Sequence, residues 1–277
     1  MLSYRTFDID ESRSWVVFIH GAGGSSAVWF KQLRAFREHF NLLLVDLRGH
    51  GRSHDFHGGD RPYTLDGISG DVLEVMDHLK IRRAHFVGVS LGSVLIRTLV
   101  ELAPGRARSV VYAGAVAGFS LWARFLISAG HFLKHLVPFR TLYATFAWII
   151  MPGKHAEEAR RVFRREARQV APAEFKRWMR LTREVNRRIR GWTRQAVATP
   201  SLYVMGALDY IFLPPVREIV VEQPSARLHV IQGAGHVCNI ECPDEFNDAA
   251  IGFLEDVDGP GLHPVGPWPS SETTGDH

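Results

Sequence analysis

The sequence predicts an α/β protein with a mostly parallel central sheet, helices on both faces of that sheet and one long helical insertion. Three observations carry this prediction. Short apolar runs alternate with amphipathic helical patterns, a serine lies where one such run meets a helix, and about 80 residues lack any convincing strand pattern. The expected strands are residues 15–19, 42–46, 84–89, 109–113, 201–206 and 227–232.

Helical patterns fill the gaps between these runs. Trp29, Leu33 and Phe36 recur at helical spacing after the first run, and a longer pattern begins at Leu65 after the second. Thr64 is suited to cap the longer helix, because its hydroxyl can accept a hydrogen bond from a backbone N–H in the first turn. A strand–helix alternation of this kind is typical of a sheet that helices cover on both sides.

The alternation stops at residues 119–198, and this segment has an unusual charge. It contains 17 basic and five acidic residues, although the whole chain carries a net charge of only +4. Its second half predicts an amphipathic helix with an apolar stripe of Phe175, Trp178, Leu181, Val185, Ile189 and Trp192. We expect the arginines on the other face to be solvated and to bind no nucleic acid. Attraction of an anionic substrate or an anionic membrane surface is the alternative.

Residues 88–92, with the sequence GVSLG, place Ser90 between an apolar run and an amphipathic helix. A sharp strand-to-helix turn strains the backbone of the serine and exposes its hydroxyl. The positions two before and two after the serine crowd together in such a turn, and here both are glycine. Ser90 is therefore a candidate nucleophile.

A serine nucleophile needs a base, and the base needs an acid that fixes its tautomer. His236 lies in a glycine-rich segment after the last apolar run, and Asp209 follows the run before it. The order Ser90, Asp209, His236 is that of the hydrolase triad with a nucleophile elbow. Asp46 is a second candidate acid, but it precedes Ser90 and opens a turn, so we expect a structural role for it.

Residues 20–26, with the sequence HGAGGSS, form a glycine-rich segment after the first run. Glycines let main-chain N–H groups approach a ligand closely. The spacing matches neither the dinucleotide nor the P-loop pattern, and no P-loop lysine follows, which argues against a nucleotide site.

These motifs resemble the α/β-hydrolase superfamily, in the branch that carries a helical cap. The string LVDLRGHGRS at residues 44–53 and the segment 235–246 add to the resemblance, which spans about residues 5–255. It implies a core of residues 1–118 and 199–256, a cap of residues 119–198 and an oxyanion hole formed by the N–H groups of Ala22 and Leu91. Many relatives have methionine at the position of Leu91, but either residue can donate its backbone N–H.

The resemblance also implies that the cap covers the nucleophile. Its apolar half then lines an acyl or ring pocket, with Trp122, Phe125, Phe132, Phe146 and Trp148 as the expected lining. We expect a serine hydrolase without a cofactor, acting on a small ester-like substrate. Lactone hydrolysis, carbon–carbon bond hydrolysis of a vinylogous diketone acid and a ligand receptor on a hydrolase scaffold are the alternatives.

No metal site is expected. His131 and His135 have the spacing of two ligands on one helix face, and His54 and His57 share a polar loop, but neither pair has an evident third ligand. Cys238 and Cys242 are expected to be free thiols.

No signal-peptide pattern precedes the first run, and no apolar stretch reaches the roughly 20 residues of a membrane span. We therefore expect a cytoplasmic protein. Its tail, residues 257–277, is rich in Pro, Gly and Ser and is expected to be disordered.

Overall fold

The computed structural model of the protein describes residues 1–118, 139–192 and 197–259. Within these ranges one sheet contains seven strands: β1 (Tyr4–Phe7), β2 (Trp15–Ile19), β3 (Asn41–Val45), β4 (Ala84–Val89), β5 (Ala107–Ala113), β6 (Ser201–Gly206) and β7 (Ala226–Ile231). Their order is β1-β3-β2-β4-β5-β6-β7. Only β1 is antiparallel to its neighbour, which confirms the predicted mostly parallel sheet.

Strand β1 is the one that the sequence pattern missed. It has four residues, lies at the sheet edge and exposes Arg5 and Thr6 side by side. Such a strand has neither an apolar run nor an alternation of buried and exposed positions, and these are the two patterns that reveal a strand in a sequence.

Helices connect the strands. In the described ranges they are α1 (Leu33–His39), α2 (Leu65–His78), α3 (Leu91–Leu102), α4 (Phe139–Ile150), α5 (Glu157–Ala167), α6 (Pro172–Trp192), α7 (Leu213–Glu222), α8 (Cys238–Glu241) and α9 (Pro243–Asp258). The hydroxyl of Thr64 accepts a hydrogen bond from the Gly67 N–H at 3.1 Å and caps α2 as predicted. The pattern that starts at Trp29 is divided between a 3₁₀ turn, Ser26–Trp29, and α1.

The strand order explains why helices lie on both faces and where a ligand can bind. The chain runs from β2 to β3 on one side and then returns to β4 on the other, so right-handed crossovers place α1 opposite α2 and α3. Accordingly α2 packs against α3, and α1 packs against α9. A crevice opens outside the carboxyl ends of the strands at such a reversal, here between β2 and β4.

Helices α4, α5 and α6 lie between β5 and β6, and the described part of residues 119–198 contains no strand. Helix α6 buries the predicted stripe, and the following side chains are each at most 6% exposed: Trp178, Leu181, Val185, Ile189 and Trp192. The side chain of Phe175 falls outside the described part of the structure, as do residues 119–138 and 260–277. Helix α9 extends to Asp258, so it includes the first two residues of the predicted tail. In the described ranges, none of the helices combines the length and the apolar character that crossing a bilayer requires.

Candidate active site

Ser90 occupies the turn between β4 and α3 with a left-handed backbone, at a φ of 53°. Such a φ strains a residue with a side chain, and neighbouring bonds must hold it in place. The Ser90 N–H donates to the Ala113 carbonyl at 3.0 Å, and the Ser93 hydroxyl donates to the Ser90 carbonyl at 2.6 Å. These bonds fix the strained turn and leave the Ser90 side chain partly exposed.

The two glycines of this turn are required by close backbone contacts. A Cβ on Gly88 would lie 2.9 Å from both the carbonyl carbon and the carbonyl oxygen of Gly92. A Cβ on Gly92 would lie 2.9 Å from the His20 carbonyl oxygen and closer still to that of Ile19. Real Cβ atoms essentially never approach another heavy atom so closely, so both positions exclude any side chain.

His236 and Asp209 meet Ser90 from loops after β7 and β6. The Nδ1–H of His236 donates to the Asp209 carboxylate at 2.8 Å, and Nε2 lies 3.0 Å from the Ser90 Oγ. A carboxylate can only accept, so it holds the proton on Nδ1 and leaves Nε2 free to accept from the serine. His236 and Asp209 are 1% and 2% exposed, so little water competes for these bonds.

Asp46 serves a different purpose. One of its carboxylate oxygens accepts from the Ser26 N–H at 2.7 Å, and the other accepts from the Arg52 N–H at 3.0 Å. These bonds join two turns of the core, which is the structural role that the sequence predicts for this residue.

The glycine-rich segment after β2 lies directly against the nucleophile turn. A Cβ built on Gly21 would be 3.2 Å from the Ser90 Cβ and 3.8 Å from the Leu91 nitrogen. Gly21 therefore lies beside both Ser90 and the backbone nitrogen of Leu91.

Two buried histidines bond to the backbone in and around this segment: His20, its first residue, and His50, in the turn after β3. His20 Nε2 accepts from the Leu47 N–H at 3.0 Å, and His50 Nε2 accepts from the Gly23 N–H at 3.0 Å. The Nδ1–H groups donate to the carbonyls of Gly21 and Arg48, both at 2.8 Å. Burial lowers the pKa of His20 and brings that of His50 to about 3, with the nearby His20 ring adding to the effect on His50. Both rings are neutral at physiological pH, as their acceptor nitrogens require.

Cys238 and Cys242 are free thiols, as predicted. Burial raises the pKa of the Cys238 thiol, and the Glu241 carboxylate raises it further. The thiol is therefore protonated at neutral pH and unsuited to nucleophilic attack.

Comparison with known proteins decides the family. The model of the alpha/beta hydrolase family matches residues 16–249, a range that includes Ser90, Asp209 and His236. The chain belongs to this family. The match supports hydrolase activity, in agreement with the resemblance carried by the motifs.

Relatives of this hydrolase cover nearly its whole length. The 3-oxoadipate enol-lactonase 2 of Acinetobacter baylyi is 26% identical over 261 residues, which are 92% of this chain and 93% of the relative. A solved structure of a hydrolase from Pseudomonas aeruginosa PA01 is 28% identical, has a TM-score of 0.77 and covers 91% of this chain and 94% of its own. The enol-lactonase from Burkholderia xenovorans LB400 is 24% identical with a TM-score of 0.77, covering 92% and 96%, and shows the shared fold.

The expected pocket aromatics of the hydrolase divide into two groups. Trp122, Phe125 and Phe132 lie outside the described residues. Phe146 and Trp148 are 45% and 65% exposed on α4. Trp148 borders an open groove of about 520 Å³ whose other lining residues are Glu157, Arg160, Arg161, Arg164, Arg165 and Arg168. It faces this basic surface, so we do not propose it as a substrate contact.

No three metal-ligating side chains converge within the described parts of the hydrolase. His57 instead lies 2.9 Å from the buried Glu174 carboxylate, and His54 pairs with the neighbouring Asp55. His131 and His135 fall in the segment that is not described.

Sequence reasoning missed three groups that support the site: His50, Glu166 and Glu241. The Glu166 carboxylate on α5 accepts from the Ser25 hydroxyl at 2.6 Å and so joins the helical insertion to the glycine-rich segment. Glu241 is the last residue of α8, shortly after His236, and His50 lies in the turn after β3. Ser25 lies 141 residues from Glu166 and Gly23 lies 27 residues from His50, so no local pattern distinguishes these two groups from solvated polar residues. Glu241 bonds to residues only six and four positions before it, so its spacing from His236 was a local signal that could have revealed it.

Proposed function

We propose that this hydrolase cleaves small carboxylic esters through an acyl-enzyme formed on Ser90. The observation that carries the proposal is the continuous chain of hydrogen bonds from Ser90 through His236 to the buried Asp209, at 3.0 and 2.8 Å. Its direction is set by Asp209, which accepts from His236 and thereby makes Nε2 the acceptor for the serine proton.

Ser90 Oγ forms a bond to the substrate carbonyl carbon while its proton moves to His236 Nε2. The carbonyl oxygen becomes an oxyanion, which the N–H groups of Ala22 and Leu91 stabilise. The carbon–oxygen bond to the alcohol then breaks, and the alcohol leaves with the proton from Nε2. Water attacks the acyl-enzyme by the same route, with His236 again taking the proton, and Ser90 is regenerated as the acid leaves.

We further propose that residues 1–118 and 199–256 are the catalytic core and residues 119–198 a cap over it. Support comes from the polar contacts of α5 and α6 with the core. Glu166 accepts from Ser25, and the Trp178 indole N–H donates to the Arg48 carbonyl at 3.1 Å. The first contact lies in the glycine-rich segment, and the second lies in the turn after β3 that also contains His50.

Lactone hydrolysis is the second candidate. A lactone is an internal ester and uses the same chemistry, and the Acinetobacter relative is named as an enol-lactonase. The difference lies in the alcohol, which stays attached to the acyl group after ring opening.

The test is a panel of p-nitrophenyl esters from acetyl to dodecanoyl, run beside lactones and one dienoic diketone acid, with the wild type and Ser90→Ala. We expect multiple turnovers of an ester or a lactone and a loss of at least about a hundred-fold in kcat for the variant. A phosphonate should add its mass to the peptide that contains Ser90. Binding of a ligand with little or no multiple turnover would indicate a receptor. Turnover of the diketone acid alone would indicate carbon–carbon bond hydrolysis. An alanine variant with near wild-type kcat would contradict the mechanism.

A further inference from the structure

Glu241 is a carboxylate that the mechanism above does not use, and its side chain is only 2% exposed. One of its oxygens accepts from the Gly235 N–H at 2.7 Å, and the other accepts from the Val237 N–H at 3.1 Å. The two donors are the residues immediately before and after His236. The carboxylate therefore holds the backbone of the catalytic loop on both sides of the histidine.

A buried carboxylate is unfavourable unless hydrogen bonds replace its hydration. Bonds from N–H groups to a charged acceptor are stronger than bonds between neutral groups, and they define the geometry more tightly. Asp209 sets the orientation of the His236 ring, but it contacts only Nδ1. The position of the ring also depends on where its Cα lies, and the bonds to Glu241 hold the backbone on both sides of that Cα.

The helical insertion covers this carboxylate from the other side. His155, just before α5, places Nε2 3.6 Å from the Glu241 carboxylate, and a Cβ on Gly235 would be 3.2 Å from the same nitrogen. The Lys31 ammonium bridges Glu158 on α5, at 2.6 Å, and the Ile240 carbonyl, at 2.9 Å. The insertion thus approaches Glu241 directly through His155 and is linked to the neighbouring Ile240 through Lys31 of the core.

We propose that Glu241 is a positioning residue for His236 and that His155 of the helical insertion helps to hold it in place. This inference rests on the proposed function of Ser90 and His236. It assigns the insertion a part in aligning the catalytic histidine, in addition to covering the substrate.

The test compares Glu241→Gln with the matched control Glu245→Gln, four residues further along the same segment. Glu245 is about half exposed and faces His229, so its loss removes a carboxylate without touching the loop. A glutamine at 241 keeps the size but has one oxygen, so one of the two loop N–H groups would face an amide N–H₂. We expect kcat to fall about 10- to 100-fold for Glu241→Gln with little change in KM, and the control to match the wild type.

A proton NMR measurement separates positioning from folding. The hydrogen-bonded Nδ1 proton of His236 should give a downfield signal in the wild type and in the control, and this signal should be lost or broadened in Glu241→Gln below its Tm. If Glu241→Gln does not fold, Glu241→Asp is measured in the same way, because it keeps the charge but cannot reach both N–H groups. His155→Ala should lower kcat in the same direction by a smaller factor.

An unchanged kcat in folded Glu241→Gln, or in Glu241→Asp where that variant replaces it, would overturn the role of Glu241. An unchanged kcat in His155→Ala would overturn the role of the insertion. Ser90→Ala, assayed in parallel, keeps these results apart from the proposed function. If Ser90→Ala is inactive while the Glu241 variant is normal, only the positioning role fails, whereas an active Ser90→Ala refutes the mechanism itself.

Discussion

Replacing Asp209 by asparagine should lower kcat strongly while leaving the fold intact, and the structure explains why. The Oδ1 atom of Asp209 accepts from the Phe212 N–H at 3.1 Å, and Oδ2 accepts from His236 Nδ1 at 2.8 Å. An asparagine must keep its single oxygen on the Phe212 side to satisfy that buried donor. Its N–H₂ group then points at His236 and forces the proton onto Nε2, where the ring can no longer accept from Ser90.

The magnitude follows from this tautomer. A triad that is held in the wrong tautomer loses about 10⁴-fold in kcat, equivalent to about 5 kcal/mol of transition-state stabilisation. Flipping the amide would restore the tautomer but leave the Phe212 N–H facing another donor, at a cost of about 1–3 kcal/mol. The flipped form alone would lower kcat only about 5- to 150-fold, whereas the form that keeps the Phe212 bond carries the full loss of about 10⁴-fold.

The assay is kcat on the best p-nitrophenyl ester, with Tm measured on the same samples. Asp46→Asn is the matched control, because the Asp46 carboxylate accepts two backbone N–H groups in core turns and should affect Tm more than kcat. Asp209→Asn with kcat within about five-fold of the wild type would refute the reasoning. So would an Asp46→Asn variant that is folded but inactive.

Three further outcomes are expected. Gly92→Ala should lose both activity and several degrees of Tm, because its Cβ would overlap the carbonyls of the strand beside it, while the control Gly105→Ala, which has open space, should be silent in the same two assays. Stability should fall as the pH drops from about 6.5 towards 3, by about 1.4 kcal/mol per pH unit for His50 alone, because the unfolded chain protonates this histidine and the fold keeps it neutral. Urea titrations at several pH values give the free energy of unfolding at each pH, and this free energy should depend less steeply on pH in His50→Gln than in the wild type. An identical pH dependence in the two proteins would contradict a buried, neutral His50. Finally, kcat/KM should rise by up to about 15-fold for every two carbons added to the acyl chain until the pocket is full, since each fully buried methylene contributes about 0.8 kcal/mol, and a flat series would exclude an apolar acyl pocket.

Much of the fold could be predicted from local pattern. Fully buried strands such as β3 and β4 appear in the sequence as mainly apolar runs. Helix α2 was predicted from the helical spacing of its apolar residues and from the capping residue Thr64. Strand β1 gave no such signal, because its stability comes from pairing with β3 along an edge. The split between the 3₁₀ turn and α1 was also invisible, since both halves share one apolar period.

The amino-acid sequence by itself determined the parts of the site that depend on residue type and chain order. Residues 88 and 92 are glycines with a serine between them, and an aspartate and a histidine follow later strands. Where parallel strands bring their carboxyl ends together, these residues predict a serine nucleophile with its base and acid. Parallel strands do this by construction, so the three side chains could be placed at one edge before any distance was known.

Only the tertiary structure decided how these residues are supported. The bond from Ser25 to Glu166 joins residues 141 positions apart, and Lys31 reaches Ile240 across 209. Tertiary structure also turned Trp148 towards the arginine groove, although its residue type suited an apolar pocket. Side-chain chemistry limits which partners a group can accept, but the packing of helices on the sheet determines which of them lies within about 3 Å of it.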